Sequence, residues 1–370
     1  MITLNNINLS SIDLSGIDLR GIKLGLGGRG GGSGDGFPQL PGDVTRWHFG
    51  GLTNEMMAAM DDPRIEDADH KGRFLSFKNF AWGGMSGVGG YTENYNSNRW
   101  YKEETRIDAT WTYKSFNARS IKDNIAAQLF YQSKSSDTGF RVLSCTIKVS
   151  GLTDGQGIEY VSNGTQQFVI MRIENDGIYH LPSFDFGAKN TYYGFRFLKL
   201  QESCNITIEQ LPLYPGALVF DGVDDCGTCD NFPVLTKEKG YTVVVLRQWD
   251  RDFLNTTLTG GLLSTRNYST GEGVAFEKIE SSNKGYWNLG AGGFIDFAKS
   301  PFTWQTSKQY NNVGILKGDK NHGKPLCVGC GLSGGQQCGR FAIWELVFLD
   351  HDATEEELTK IKDYFVKTYP

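Results

Sequence analysis

Between residues 107 and 213 the chain is written in short runs in which apolar and polar residues take turns, and the runs stop at Gly-containing punctuation. Examples are ATWTYKSF (109–116), VLSCTIKVSGL (142–152), QFVIMRI (167–173), YYGFRFLKL (192–200) and CNITIEQLPL (204–213). A period of two puts successive side chains on opposite faces, which suits a half-buried strand and not a helix, whose apolar positions recur at three or four. Asp-Gly at 154–155 and Asn-Asp-Gly at 175–177 supply φ-permissive turn residues between such runs. The 47 glycines, 13 % aromatic residues and only 21 % charged residues agree with short strands joined by tight turns. The expected fold class is therefore all-β.

A length of 370 residues suits two domains plus an extra segment. Residues 37–213 are expected to form one β-sandwich, with a short helix around 54–60, and residues 214–370 a second. In the second, ALVFDGVDD, YTVVVLRQW, GVAFEKI and FAIWELVFL read as strands, and one helix closes the chain. Thr354 caps that helix, Glu357 completes a capping box three residues on, and Leu358, Ile361, Tyr364 and Phe365 share an apolar face expected to pack on a sandwich edge.

Residues 1–24 differ from all this. Ile2, Ile7, Ile12, Ile17 and Ile22 are each followed two residues later by Leu, a period of five. Ile and Leu two apart lie on one face of an extended segment, as in a rung of a β-solenoid or a strand of an intertwined trimer. Five repeats bury little of this set alone, so the stretch is read as a pentad-repeat β anchor needing neighbouring chains. The other reading is a strand folded onto its own downstream domain. Residues 25–36, GLGGRGGGSGDG, form a Gly-rich linker.

The net charge of −5 and the lack of a Lys/Arg block speak against a nucleic-acid partner. No 18-residue apolar stretch and no basic-then-apolar leader occur, so neither a membrane span nor a signal peptide is expected, and synthesis in a host cytoplasm is.

The residues 217–225 (ALVFDGVDD), 241–249 (YTVVVLRQW), PLCVG at 325–329, and RFAIWELVFLDHDATEEELTKI at 340–361 together resemble the laminin-G-like domains of the concanavalin-A-like superfamily. The resemblance spans roughly 150 residues, with its landmarks in the family's order, and implies a jelly roll with lectin-like function. Cys327 departs from it, standing where the family usually has an aromatic residue. Residues 37–216, with LTNEMMAAMDDPRIED, KNFAWGGMSGVGGY and NDGIYHLPSF, look like proteins of gut Bacteroidales and of the crAss-like phages that infect them. That second resemblance implies a head or tail fibre on the virion surface, or a Bacteroidales cell-surface adhesin.

Catalysis on a concanavalin-like fold needs two carboxylates on one strand face, and no E-x-D-x-E pattern lies on any expected strand. A non-enzyme is expected, with a glycan-active hydrolase as the minor alternative. Asp221, Asp224 and Asp225 either shape a turn or offer oxygens to Ca²⁺. Cys226, Cys229, Cys327 and Cys330, in two C-x-x-C pairs with Cys338 nearby, suit a tetrahedral Zn²⁺ site, a disulfide staple or free thiols. Convergence within a pair requires a bend, which Gly227 and Gly329 permit. For a sugar the requirement is an aromatic plate with polar groups beside it. Trp249, Trp287, Trp304 and Tyr310 are the aromatic candidates, each also readable as core. The pentad rhythm suggests a homotrimer, and the two resemblances imply that it is joined to other virion proteins through residues 1–24 and meets a host-surface or mucosal glycan.

Overall fold

The strand Arg340–Leu349 is apolar at almost every position and contributes to two hydrophobic cores among the described residues, one on each of its faces. A computed structural model describes residues 36–369 apart from 104–105, 121–124, 133–139, 164–166, 187–191, 203, 235–239, 251–259, 266–274, 279–283, 289–292, 297–311, 318–324 and 333–335. It consists mostly of antiparallel sheets with a C-terminal helix. The anchor residues Ile2, Ile7, Ile12, Ile17 and Ile22 and the Gly-rich linker up to residue 35 lie outside the described residues.

Arg340–Leu349 lacks the alternation of an edge or one-sided strand because both of its faces are covered. Phe341, Ile343, Leu346 and Phe348 face a core shared with a second sheet, where they meet Leu75, Leu263, Leu326 and Val328. Ala342, Trp344, Val347 and Leu349 face the helix Glu355–Thr368 through Leu358, Ile361, Tyr364 and Phe365. The helix therefore covers a sheet face and not an edge, since the apolar residues of the strand continue on that side. Its capping box forms as expected: Thr354 Oγ1 accepts the Glu357 N–H, and the Glu357 carboxylate accepts the Thr354 N–H at 2.7 Å.

Strand Thr242–Trp249 pairs along one side of Arg340–Leu349. The other side is shared by Leu218–Asp221, opposite residues 340–343, and Val44–His48, opposite residues 345–349. This pairing revises the expected division at 213/214. Trp47, Phe49, Met57, Leu75 and Phe77 belong to the core of the C-terminal half, while Tyr95 to Ile208 form a separate core. The segments before residue 91 are short strands between Gly-rich loops: Arg64–Glu66 pairs with its neighbour Phe74–Lys78, but Phe74–Lys78 also pairs with Cys226–Cys229, Gly87–Val88 with Leu218–Asp221, and Val44–His48 with Arg340–Leu349.

The pairing also carries a buried ionic cluster. The register of Arg340–Leu349 against Thr242–Trp249 slips by one residue between Leu246 and Arg247, so Trp344 is extra and both Trp344 and Glu345 lie on the helix side. Glu345, with no solvent exposure, accepts hydrogen bonds from Arg46 Nε at 2.9 Å, Tyr369 Oη at 2.8 Å and Tyr364 Oη at 3.2 Å, and its Oε1 lies 2.7 Å from His48 Nδ1. The Arg46 guanidinium also sits 4.2 Å above the Phe37 ring.

The separate core of Tyr95 to Ile208 lies between two five-stranded sheets. One has the order Gly177–Leu181, Cys145–Ser150, Asn205–Gln210, Ser115–Ser120, Ile107–Trp111; the other Gln167–Ile173, Gly157–Asn163, Tyr192–Leu200, Ile125–Gln132, Trp100–Lys102. The run 109–116, read as one strand, contains the turn of a hairpin: Ile107–Trp111 pairs with Ser115–Ser120, and Thr112 and Ser115 bond across the bend. The turns at 154–155 and 175–177 are present but join no hairpin; each carries the chain from one sheet to the other. Asp176 ties these two corners together, its carboxylate accepting the N–H groups of Gly151 at 3.0 Å and Leu152 at 2.8 Å.

At the edge of this core Tyr193 Oη donates to both carboxylate oxygens of Glu93, at 2.8 and 3.0 Å. Burial nevertheless pushes the Glu93 carboxyl up to about 7, against that hydrogen bond.

Two outcomes follow. Glu345→Gln leaves Arg46 as an uncompensated buried charge and should lower unfolding free energy by about 3–5 kcal/mol, read from urea denaturation; Glu356→Gln, which breaks the exposed pair with Lys360, should leave the midpoint unchanged. Glu93 keeps its proton in the folded chain while the unfolded chain loses it above about pH 4.3. Its contribution to stability should fall as pH rises to about 7 and then level off. Melting temperatures from pH 5 to 8 should drop less for Glu93→Gln than for the unaltered chain, and parallel slopes would exclude Glu93 as the titrating group.

Candidate functional site

Aromatic residues on a strand normally face the core, and here the inward positions are filled by Trp100, Leu129, Tyr160, Tyr193 and Phe195. The adjacent, outward positions carry rings as well. Tyr101, 43 % exposed, stacks on Phe130 with centroids 5.8 Å apart, and Phe130 meets Tyr192 at 5.2 Å. Tyr101 lies opposite Phe130 in register, and Phe130 lies opposite Gly194, where no side chain rises between the ring row and the neighbouring strand. Two residues along the same strands, Gln128, Arg196, Glu159 and Arg172 stand opposite one another across four strands. The same face therefore bears a row of rings and, about 7 Å away, a row of hydrogen-bonding groups.

That polar row is preorganised. Glu159 is buried and accepts from Arg196 Nε at 2.7 Å, while Arg172 Nε reaches its other oxygen at 2.9 Å, leaving the rest of the Arg172 side chain largely exposed. Beyond it, at the corners tied by Asp176, opens a cleft of about 450 Å³ lined by Gln156, Glu159, Arg172, Asn175 and Lys199 among others. Gln156 is held in place by its own turn, its Oε1 accepting the Thr153 N–H at 3.0 Å. The cleft thus offers carboxylate, guanidinium, amide and ammonium groups together, a lining that can both donate to and accept from hydroxyls.

The sugar candidates read from the sequence are placed elsewhere. Trp249 is 3 % exposed and packs edge-on against Phe341 inside the first core, so it cannot plate a ligand. Trp287 lies on the strand Lys284–Asn288, opposite Phe276 and Gly293. Trp304 and Tyr310 fall outside the described residues. The rings that do face outward were missed because Tyr101, Phe130 and Tyr192 sit in runs rich in inward aromatics; the available signal was an aromatic residue at the polar phase of an alternating strand.

Asp221, Asp224 and Asp225 do come together, with carboxylate oxygens within 4.8 Å. They stand at the corner where the chain leaves Leu218–Asp221 in one sheet and enters Cys226–Cys229 in the facing one. Asp225 is fully buried there, accepting the Ser86 hydroxyl and the Asp221 N–H, both at 2.8 Å. Burial, with the charges of Asp221 and Asp224 added, pushes its carboxyl up to about 7 against these hydrogen bonds. Asp221 Oδ1 accepts the Val223 N–H at 2.7 Å. These bonds are those of a turn, and Ca²⁺ would have to share oxygens already engaged.

The two C-x-x-C pairs do not form the quartet suggested by spacing. Cys226 and Cys229 lie three apart on an unbent strand and point to opposite faces. Cys229 enters the apolar core, its Sγ 3.5 Å from Asn231 Oδ1, and burial pushes its thiol up to about 12. Cys226, Cys327, Cys330 and Cys338 instead make a buried cluster of their own, with Cys330 and Cys338 joined as a disulfide. Gly329, at φ +96°, supplies the bend that Gly227 does not.

No family profile matches the chain, and no curated protein sequence matches it. Distant structural similarity is found to two structures of Trypanosoma rangeli sialidase. The complex with sialic acid aligns over 83 % of this chain and 68 % of its own, and the complex with the inhibitor DANA over 81 % and 67 %; both show 9 % identity and a TM-score of 0.28. An oxalate decarboxylase–formate complex from Lactobacillus farciminis aligns over 70 % of this chain and 87 % of its own, at 6 % identity and a TM-score of 0.11.

Proposed function

We propose that the chain is a structural protein of a phage virion, a trimeric head or tail fibre that presents two β-sandwich domains for attachment to a host or mucosal glycan. The reading joins three supports. The pentad rhythm of Ile2 to Ile22 is an anchor suited to pairing with neighbouring chains and other virion proteins. The resemblance of residues 217–361 to laminin-G-like modules points to a jelly roll, and the wider likeness of residues 37–216 points to phage or adhesin proteins.

The observation that carries attachment is the outward row Tyr101, Phe130 and Tyr192 beside Gln128, Arg196, Glu159 and Arg172. A pyranose has an apolar C–H face that a ring covers and equatorial hydroxyls that amide, guanidinium and carboxylate groups bind. One such contact is weak, and three copies on one fibre multiply it through effective concentration. The chain itself is a binding protein in this reading and carries out no chemistry on the sugar. Among the described residues no helix is long and apolar enough to cross a membrane.

Full-length protein on a glycan array should bind a defined set of glycans. Tyr101→Ala and Phe130→Ala should each weaken that binding by about tenfold, equivalent to about 1.4 kcal/mol, whereas Trp249→Phe should not alter it. A flat array from folded trimer would remove the attachment role. Light scattering should give the mass of three chains for the full-length protein and of one for a chain lacking residues 1–36; one chain in both cases would remove the anchor.

A further inference from the structure

Four cysteines from four separate strands form one buried cluster in the second sheet of the C-terminal core. Cys226 comes from Cys226–Cys229, Cys327 from Leu326–Val328, Cys330 from Cys330–Leu332 and Cys338 from Gln336–Cys338, and each is at most 5 % exposed. Cys226 Sγ and Cys327 Sγ are 3.3 Å apart, and Cys330 stands directly opposite Cys338 in register. The bend at Gly329 turns Cys327 and Cys330 to the same side, and the Cys330 N–H donates to the Cys327 sulfur. A side chain at position 329 is excluded, since its Cβ would lie 2.4 Å from the Phe220 ring and 2.6 Å from the Asp225 carbonyl oxygen.

We propose that Cys226, Cys327, Cys330 and Cys338 form a tetrathiolate site for a thiophilic divalent cation, zinc, in the reduced protein. Zn–S bonds of about 2.3 Å in a tetrahedron hold the sulfurs about 3.8 Å apart, within about half an ångström of the Cys226–Cys327 separation. A C-x-x-C-G turn whose first sulfur accepts the N–H of the second cysteine is a ready half-site, because that N–H stabilises thiolate charge. Sulfur ligands favour zinc over calcium or magnesium, and four protein ligands leave no open position, so the site is structural.

The disulfide and the metal are alternative states of the same sulfurs. To load zinc, a dithiol reductant gives two electrons and two protons to Cys330–Cys338 and closes to its own disulfide. The four thiols then release four protons as one Zn²⁺ binds.

The test uses the full chain, reduced with a dithiol, equilibrated with zinc and freed of excess metal by gel filtration. Elemental analysis should find one zinc per chain. Cys226→Ser and Cys338→Ser should lose it, and Cys229→Ser should keep it. Because serine variants can fail to fold, cobalt is substituted into the unaltered chain, where four thiolates in a tetrahedron give intense sulfur-to-cobalt charge-transfer bands together with tetrahedral d–d bands. Zinc retention by Cys338→Ser, zinc loss by a folded Cys229→Ser, cobalt without thiolate bands, or a second disulfide between Cys226 and Cys327 that persists after reduction would each overturn the site.

Discussion

The carboxylate of Glu345 is the point on which the C-terminal core depends. It lies without solvent in the longest of the described strands, and groups from two other stretches close on it: Arg46 and His48 from the N-terminal side, and Tyr364 and Tyr369 from the closing helix and the residue that caps it. Removing a carboxylate and a guanidinium from water is costly, and the attraction between them offsets this only when hydrogen bonds saturate both. A one-residue slip of Val44–His48 would turn Arg46 into the apolar side where Trp47 now sits, so a shifted pairing leaves two buried charges unmatched. The ionic cluster therefore acts more on the choice of register than on the depth of the energy minimum.

Much of the secondary structure was legible. The strands 167–173 and 192–200 coincide with their alternating runs, and the capped helix with its Thr354–Glu357 box formed where the pattern placed it. What periodicity does not encode is which sheet a strand joins. The turns at 154–155 and 175–177 have hairpin composition, yet they serve as corners between sheets, because Asp176 bonds to the other corner and the apolar phase of each flanking strand faces the shared interior. Likewise nothing in WHFGG announces a partner at 345–349, nor anything in FLSFK one at 226–228.

The candidate sites were legible in part for the same reason. The three aspartates are close in sequence, and a turn brings them together. The cysteines illustrate how spacing misleads: an identical C-x-x-C converges at 327–330, where Gly329 bends the chain, and diverges at 226–229, where the strand runs straight. The outward rings Tyr101, Phe130 and Tyr192 are set beside one another by cross-strand register, which only the folded chain supplies.

The body formed by residues 95–208 begins and ends at one place. The Leu213 N–H donates to the Gly90 carbonyl at 2.9 Å and the Tyr214 N–H to the Gly89 carbonyl at 2.8 Å, so the segment that leads out lies against the one that leads in. A module spliced into a host fold through two touching segments can be replaced by another of different size without disturbing either sheet of the host. The architecture is that of a cassette in a fixed frame: the frame, knit together across the length of the chain, resists change, while the cassette with its outward rings is free to diversify.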